Sequence, residues 1–261
     1  MHIIVCIKQV PDTGQVKIDP ETGHLIREGV PSIINPEDKN AIEEAVRLKE
    51  KNGGKITVMT MGPKQAEDAL CEALAMGADD AILLADAAFR GADTWATSYT
   101  LSQAIKKIGG FDMILCGREA LDGNTAQVGP QIAEFLDLAS VVYAQKIIVD
   151  SDTVTVDGAT EDGYQIVETK LPVLITAIKD LNTPRIPTLF DTMEALEKEI
   201  THWTADDLGI AKSKVGIKGS FTRIRKTATP DLSKGPVKMI EGDLVSICDE
   251  VEAVLKKNYL L

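Results

Sequence analysis

Four short apolar runs set the strongest limit on what this chain can fold into: HIIVCI from His2, KITVMTMG from Lys55, DAILLA from Asp80 and FDMILCG from Phe111. They are continuous rather than alternating. Strands of that kind are covered on both faces, which calls for a parallel sheet with helices on each side. Amphipathic stretches separate them. In NPEDKNAIEEAVRLKEKNGG, Asn35 suits the N-cap, Pro36 the first helical position, and Glu37 and Asp38 the positive end, while Gly53 ends the helix. Its inward face is Ala41, Ile42, Ala45, Val46 and the stem of Lys49. PKQAEDALCEALAMGA reads as a helix closed by Gly77, and DTWATSYTLSQAIKKIGG as one capped by Asp93. A further helix is expected after DGNTAQ.

Around this framework, VKIDPETGHLIREG reads as a hairpin turning at Pro20 to Gly23. SVVYAQKIIVD, TVTVDG and YQIVETKLPVLITAIK carry strand alternation and are expected to add antiparallel strands. The predicted class is α/β, a mostly parallel sheet flanked by helices, with an extended C-terminal arm. The character changes near Asp180. DLNTPRIPTLFDTMEALEKEI has two prolines and an exposed-looking Leu189-Phe190 before a charged helix. From Leu208 to Pro230 there are six basic residues and no acidic one, and Leu244, Ile247, Cys248, Val251, Val254 and Leu255 then form one helical apolar stripe. The expected division is a binding domain over residues 1–190 and, over 191–261, a C-terminal arm and helix that together dock on another chain.

A net charge of −12 argues against nucleic-acid or anionic-membrane binding, since phosphate backbones need a cationic face. Cys6, Cys71, Cys116 and Cys248 are far apart and read as small buried residues in a reducing compartment. The three histidines are scattered, so no metal site is expected. No stretch reaches the ~18 apolar residues of a membrane span, and HIIVCIKQV is too short for a signal peptide. A cytoplasmic protein is expected.

The glycine fingerprints of dinucleotide and P-loop sites are absent, as is a hydrolase nucleophile elbow. What remains is a set of strand ends, where parallel α/β sheets hold their ligands. These are CIKQVPDT from Cys6, TMGPK from Thr60, FRGADTWATS from Phe89 and CGREALDGNTAQVGP from Cys116. The last spends about a dozen small or polar positions before helical period resumes at Ile132. Backbone amides crowded at a strand-to-helix turn suit an anion, usually a phosphate. A plain polar loop with a poor helix start is the alternative. Likewise Asp93 and Thr94 can simply cap their helix.

VCIKQVPD, NPEDKNAIEEAVRLKE, ALAMGADDAILL, LCGREALDGNTAQVGPQIAEFL and ETKLPVLITAIKDLNTPRIPTL together resemble the β-subunit of electron transfer flavoproteins. The resemblance runs in matching order to about Ile200 and weakens in the basic tail. It implies an adenine-nucleotide α-hydrolase-like fold and an obligate heterodimer with an α-subunit that holds an electron-carrying FAD. The family divides over the β-subunit ligand. One branch binds AMP. The other binds a second FAD, takes a hydride from NADH, and sends one electron to ferredoxin or flavodoxin and the other toward the α-subunit flavin. Here VPDT, FRGADTWATS and GREALDGNTAQVGP resemble the second branch, as found beside acyl-CoA or lactate dehydrogenases in anaerobic bacteria. A structural AMP or an adenylate-binding regulatory protein is the alternative.

The resemblance also implies roles. Cys6, Asn35, Pro36 and Met61 match positions around the adenosine, and Pro11 falls in VPDT. Gly91, Ala92, Asp93, Thr94 and Thr97 offer room and hydroxyls for the isoalloxazine and ribityl chain. Cys116, Gly117 and Arg118 begin the loop, with Arg118 aimed at a flavin edge or a phosphate, or else paired with Glu119 or Asp122. Asp122, Gly123, Asn124, Thr125, Ala126, Gln127, Val128, Gly129 and Pro130 form the diphosphate cradle, with Gly129 expected at a surface turn. Leu189 matches the exposed leucine that docks a dehydrogenase. Phe190 beside it departs from that pattern. No catalytic acid or base is expected.

Overall fold

In a computed structural model, residues 1–12, 17–18, 25–26, 31–223 and 239–260 are described. The chain divides into two compact units, Met1–Ile224 and Arg225–Leu261.

The first unit is built on a nine-stranded sheet. Its strands are β1 (His2–Cys6), β6 (Lys55–Met61), β7 (Asp80–Leu84), β8 (Met113–Gly117), β9 (Ala139–Asp150), β10 (Thr153–Thr160), β11 (Gly163–Lys170), β12 (Val173–Ala177) and β13 (Ile200–Trp203), in the order β11-β10-β9-β12-β8-β1-β6-β7-β13. From β9 to β13 every pairing is parallel. The β9–β10 and β10–β11 pairings are antiparallel. Two small sheets lie apart: β2 (Gln9–Pro11) with β5 (Ser32–Ile34), and β3 (Lys17–Ile18) with β4 (Leu25–Ile26). The β3–β4 pair bears out the hairpin, whose turn lies outside the described residues. YQIVETKLPVLITAIK splits into antiparallel β11 and parallel β12, so the alternation there marked only half of it correctly.

Successive residues of β1 feed two cores. Ile3 and Val5 join a cluster with Ala41, Ile42 and Leu70, whereas Ile4 and Cys6 join one with Leu101, Ile105 and Ile132. This is why the strands are continuously apolar. One face packs α1 (Pro36–Asn52) and α2 (Glu67–Ala75). The other packs α3 (Thr94–Ile108) and α4 (Val128–Leu136). The chain leaves β1 toward β6 and β7, then returns across β1 to β8. A topological switch point therefore lies between β1 and β8, at their carboxyl ends, where Cys6 stands opposite Cys116.

The body extends past the boundary expected at residue 190. Helix α5 (Leu189–Glu197) leads into β13, which pairs with β7, and α6 (Gly216–Gly219) follows within the same compact unit. A four-residue edge strand holding His202 carries too little periodicity to be read from sequence. In the second unit, α7 (Leu244–Lys257) is capped by Asp243, whose side chain accepts from the Ser246 N–H, and none of its residues is buried.

Candidate functional site

Four segments meet around the switch point, and α1 organises them. Asn35 occupies the N-cap position, but its side chain makes no cap bond. Its amide nitrogen instead donates to the Glu119 carbonyl at 2.9 Å, and its oxygen accepts from the Leu121 N–H at 3.0 Å. Asn35 thus pins the loop that follows β8. Three residues on, Asp38 accepts from the Lys8 N–H and from the Gly117 N–H, each at 2.8 Å. It ties the exits of β1 and β8 to one helix end. Gly117 has to be glycine, because a Cβ there would lie 2.4 Å from the Asp38 carboxylate and 2.9 Å from α1 backbone. Burial pushes the Asp38 carboxyl up to about 7, against the pull of its two amide donors. Sequence reasoning took Asp38 only for a dipole-complementing surface acid. The signal it missed was a carboxylate placed where two strand ends present unpaired N–H groups.

The loop 118–127 is held at several points. Arg118 pairs with Glu119 at 2.7 Å and Glu37 at 3.3 Å, while its Nε is buried without a partner. Asp122 belongs to Lys8, at 2.6 Å. The ion-pair alternative for Arg118 is therefore with Glu119 and Glu37, and not with Asp122. Burial raises the Glu37 carboxyl, and the guanidinium offsets this only in part.

Asn124 and Ala126 sit at φ 44° and 53°. Asparagine tolerates that region. Alanine does so at a cost of roughly 1–2 kcal/mol. The two reversals turn the chain just before α4. Among the described residues, the N–H groups of residues 125–129 donate to no protein acceptor, inside or outside the helix. Five consecutive unbonded amides, at the positive end of a helix, are what an anion uses. Thr94 at the start of α3 donates its hydroxyl to Gln127 Oε1 at 2.9 Å, and Ser98 donates to the Val128 carbonyl at 3.2 Å, so α3 and α4 present their starts side by side.

Several expected residues have other duties. Gly129 is buried, and a Cβ there would meet Thr176 at 2.7 Å and the Cys116 sulfur at 3.0 Å. The expectation of a surface turn at Gly129 is wrong: α4 begins in close contact with β8 and β12. Gly123 is exposed, with open space around it. The Asp93 carboxylate caps Ala96 and also accepts from the N–H groups of Phe221 and Thr222 and the Thr222 hydroxyl. Burial raises its pKa, but these donors outweigh it and hold the carboxyl below its ordinary value. Asp93 is a clamp on the 220–222 segment. Cys6 and Cys116 are buried neutral thiols, Cys6 pushed up to about 12 by burial and then by Asp38. Met61 is half-buried at the end of β6, and Gly91, Ala92 and Thr97 frame the start of α3. Among the described residues no hydrogen bond links Pro11 to this group.

Leu189 and Phe190 open α5, capped by the reciprocal Thr188–Asp191 bonds. They are 73% and 81% exposed, and Ile186, Met193 and Leu196 are exposed beside them. Five large apolar side chains between residues 186 and 196 are thus exposed.

The class that fold and crevice define is a doubly wound α/β protein with unbonded amides gathered at its switch point. Residues 22–208 match the electron transfer flavoprotein domain. The chain is 52% identical, over the full length of both, to the electron transfer flavoprotein subunit beta of Clostridium acetobutylicum. It is 47% identical over all of both chains to the caffeyl-CoA reductase-Etf complex subunit CarD of Acetobacterium woodii. Against protein FixA of Azorhizobium caulinodans the identity is 41%, over 99% of this chain and 95% of that one. The chain belongs to the electron transfer flavoprotein β-subunit family.

Proposed function

We propose that this chain is the β-subunit of a heterodimeric electron transfer flavoprotein of the bifurcating type, with FAD in the switch-point crevice. In this reading it accepts a hydride from NADH. One electron leaves for ferredoxin or flavodoxin, and the other passes through the α-subunit FAD to a dehydrogenase of acyl-CoA or lactate type. The observation that carries the reading is the run of unbonded N–H groups at residues 125–129. A diphosphate needs donors, and in a chain of net charge −12 whose nearby cations, Lys8 and Arg118, are already paired, backbone amides are the donors available. The match of VPDT, FRGADTWATS and GREALDGNTAQVGP to two-flavin proteins favours FAD over AMP, and one relative is named for a reductase–Etf complex.

A flavin held there supplies the exchange between two-electron and one-electron chemistry, while the protein supplies position and electrostatics. Asn35 and Asp38 fix the loop. Thr94 orients Gln127, whose amide nitrogen stays free to donate. The buried Arg118 Nε offers one more donor beneath the loop. Cys6 and Cys116 contribute apolar packing as neutral thiols. The apolar stripe of α7 serves the α-subunit, and Leu189 with Phe190 serves the dehydrogenase. With the amides committed to phosphate, no side chain needs to act as acid or base.

The test is composition. The heterodimer with its α-subunit is gel-filtered, flavin is counted by absorbance, and AMP is assayed after denaturation. Two flavins and no AMP are expected. One flavin with AMP moves the chain to the structural-nucleotide branch and removes NADH oxidation from its role.

A further inference from the structure

We infer that the outer face of α3 and α4, beside the crevice, is the docking surface for an acidic electron-carrier protein. This rests on the bifurcating reading above and gives its one-electron branch a place. The face is a shallow cavity of about 450 Å³ lined by Trp95, Tyr99, Phe135, Lys214, Lys218 and Phe221, with Ser213, Gly219 and Ser220 between them. Its rings form one cluster. Trp95 meets Phe135 edge-on at 4.8 Å and Phe221 at 5.4 Å, and Tyr99 meets Phe135 at 5.7 Å. Aromatics make up 4% of the chain, so four around one cavity is a concentration.

Charge selects the partner. The chain has 40 acidic residues against 28 basic, yet no carboxylate lines this cavity and two lysines do. Among the described residues, Lys214 lies 6.0 Å from the Tyr99 ring and neither lysine has a carboxylate partner, whereas Lys212 nearby is neutralised by Asp206. An acidic surface supplies the missing partners. Shape decides between a small molecule and a protein. Small-ligand pockets enclose most of their ligand. Here Phe221 is 80% exposed, Trp95 43% and the adjoining Ile217 54%, which is an open patch. Aromatic anchors ringed by cations suit a transient, electrostatically steered contact, while obligate interfaces are larger.

Position completes the argument. Trp95 directly follows Thr94, which bonds Gln127 at the cradle, and the Asp93 clamp fixes Phe221 to the same helix start. A carrier seated here rests against the elements that frame the crevice. The test uses the intact heterodimer with the variant K214E/K218E, and a second variant, Phe221→Ala. Ferredoxin binding is measured by titration calorimetry at low and high salt, beside NADH oxidation with a small artificial acceptor. For K214E/K218E, ferredoxin binding is expected to weaken about tenfold or more at low salt, with the difference shrinking at high salt. Flavin content and dye reduction stay unchanged. Unchanged ferredoxin binding in both variants overturns the inference, as does loss of the heterodimer on gel filtration, which would give this face to the α-subunit. If the unmutated heterodimer holds one flavin and AMP, the bifurcating reading itself has failed, and that result is separate from either.

Discussion

Replacing Asp38 by Asn removes a titration that the fold places at the heart of the crevice. The carboxyl is buried at 5% exposure and raised from 3.8 to about 7, with burial as the main cause. Because the folded value lies above the unfolded one, the folded chain binds the extra proton between these limits. The contribution to stability is fully present below pH ~4 and is lost as pH rises through 7. Roughly three pH units at about 1.4 kcal/mol each give about 4 kcal/mol across the window. Asn cannot titrate. It keeps one acceptor for Lys8 or Gly117 and turns an NH2 toward the other amide, at a cost of about 1–3 kcal/mol. The variant should therefore gain about 2–3 kcal/mol relative to the unmutated chain between pH 5 and pH 8, and should equal or exceed it at pH 8. Urea denaturation of both at pH 5, 6, 7 and 8 measures this. Other acids titrate in both proteins and cancel in the difference, apart from Glu37, whose charge acts on Asp38. Parallel pH profiles would show that the two amide donors keep Asp38 ionised, and would refute the reasoning.

Asn35→Ala frees the loop at Glu119 and Leu121, so nucleotide affinity should fall about tenfold or more, read by equilibrium dialysis; an unchanged affinity means the loop holds its shape without Asn35. Gly129→Val should destabilise the fold by about 1–3 kcal/mol or more in thermal melts, since its Cβ would sit 2.7 Å from Thr176. A variant melting like the parent contradicts the close packing of α4. Leu189→Ala should shift stability by less than about 0.5 kcal/mol, because the side chain is 73% exposed, while weakening dehydrogenase docking about tenfold. Loss of NADH oxidation at the same time would place Leu189 outside any docking role.

Where sequence sufficed, the physics was local. The runs in β1, β6, β7 and β8 announced a sheet covered on both faces, and α1 ran Pro36–Asn52 with Gly53 closing it at φ 69°. The loop after β8 was legible too, because its small residues and delayed helix start are written in a few consecutive positions. What failed was non-local. Gly129 looks like a turn glycine until Thr176, 47 positions away, is packed on it. Asp93 looks like a helix cap, and is one, but its second oxygen is spent on Phe221 and Thr222. Asn35 fits a cap by type and position, yet its side chain serves Glu119 and Leu121, 84 and 86 residues on. β13 was lost because an edge strand of four residues needs its neighbour β7 to exist at all.

One helix carries the consequences of that non-local chemistry. The first turn of α1 fixes the crevice through Asn35 and Asp38. Its middle fixes the chain that leads to α5. Asn40 donates to the Asn182 carbonyl at 2.8 Å, Asn182 donates to Glu44 at 3.0 Å, and Arg185 donates to Glu43 and Glu50 at 2.8 and 2.7 Å. Glu43 is 3% exposed. Burial alone would raise its carboxyl, but Arg185 and Arg47 bring it below the ordinary range, so the buried carboxylate is held ionised by partly exposed guanidiniums. Removing Arg185 would leave the buried Glu43 carboxylate with Arg47 alone, so the contact ties the 182–185 segment to α1. Four residues after Arg185 comes Leu189. Helix α1 thus contacts both the loop after β8, through Asn35 and Asp38, and the segment that leads to α5, through Asn40, Glu43 and Glu50. In the proposed reading, where the loop holds the flavin and Leu189 docks the dehydrogenase, α1 is the element that joins the two.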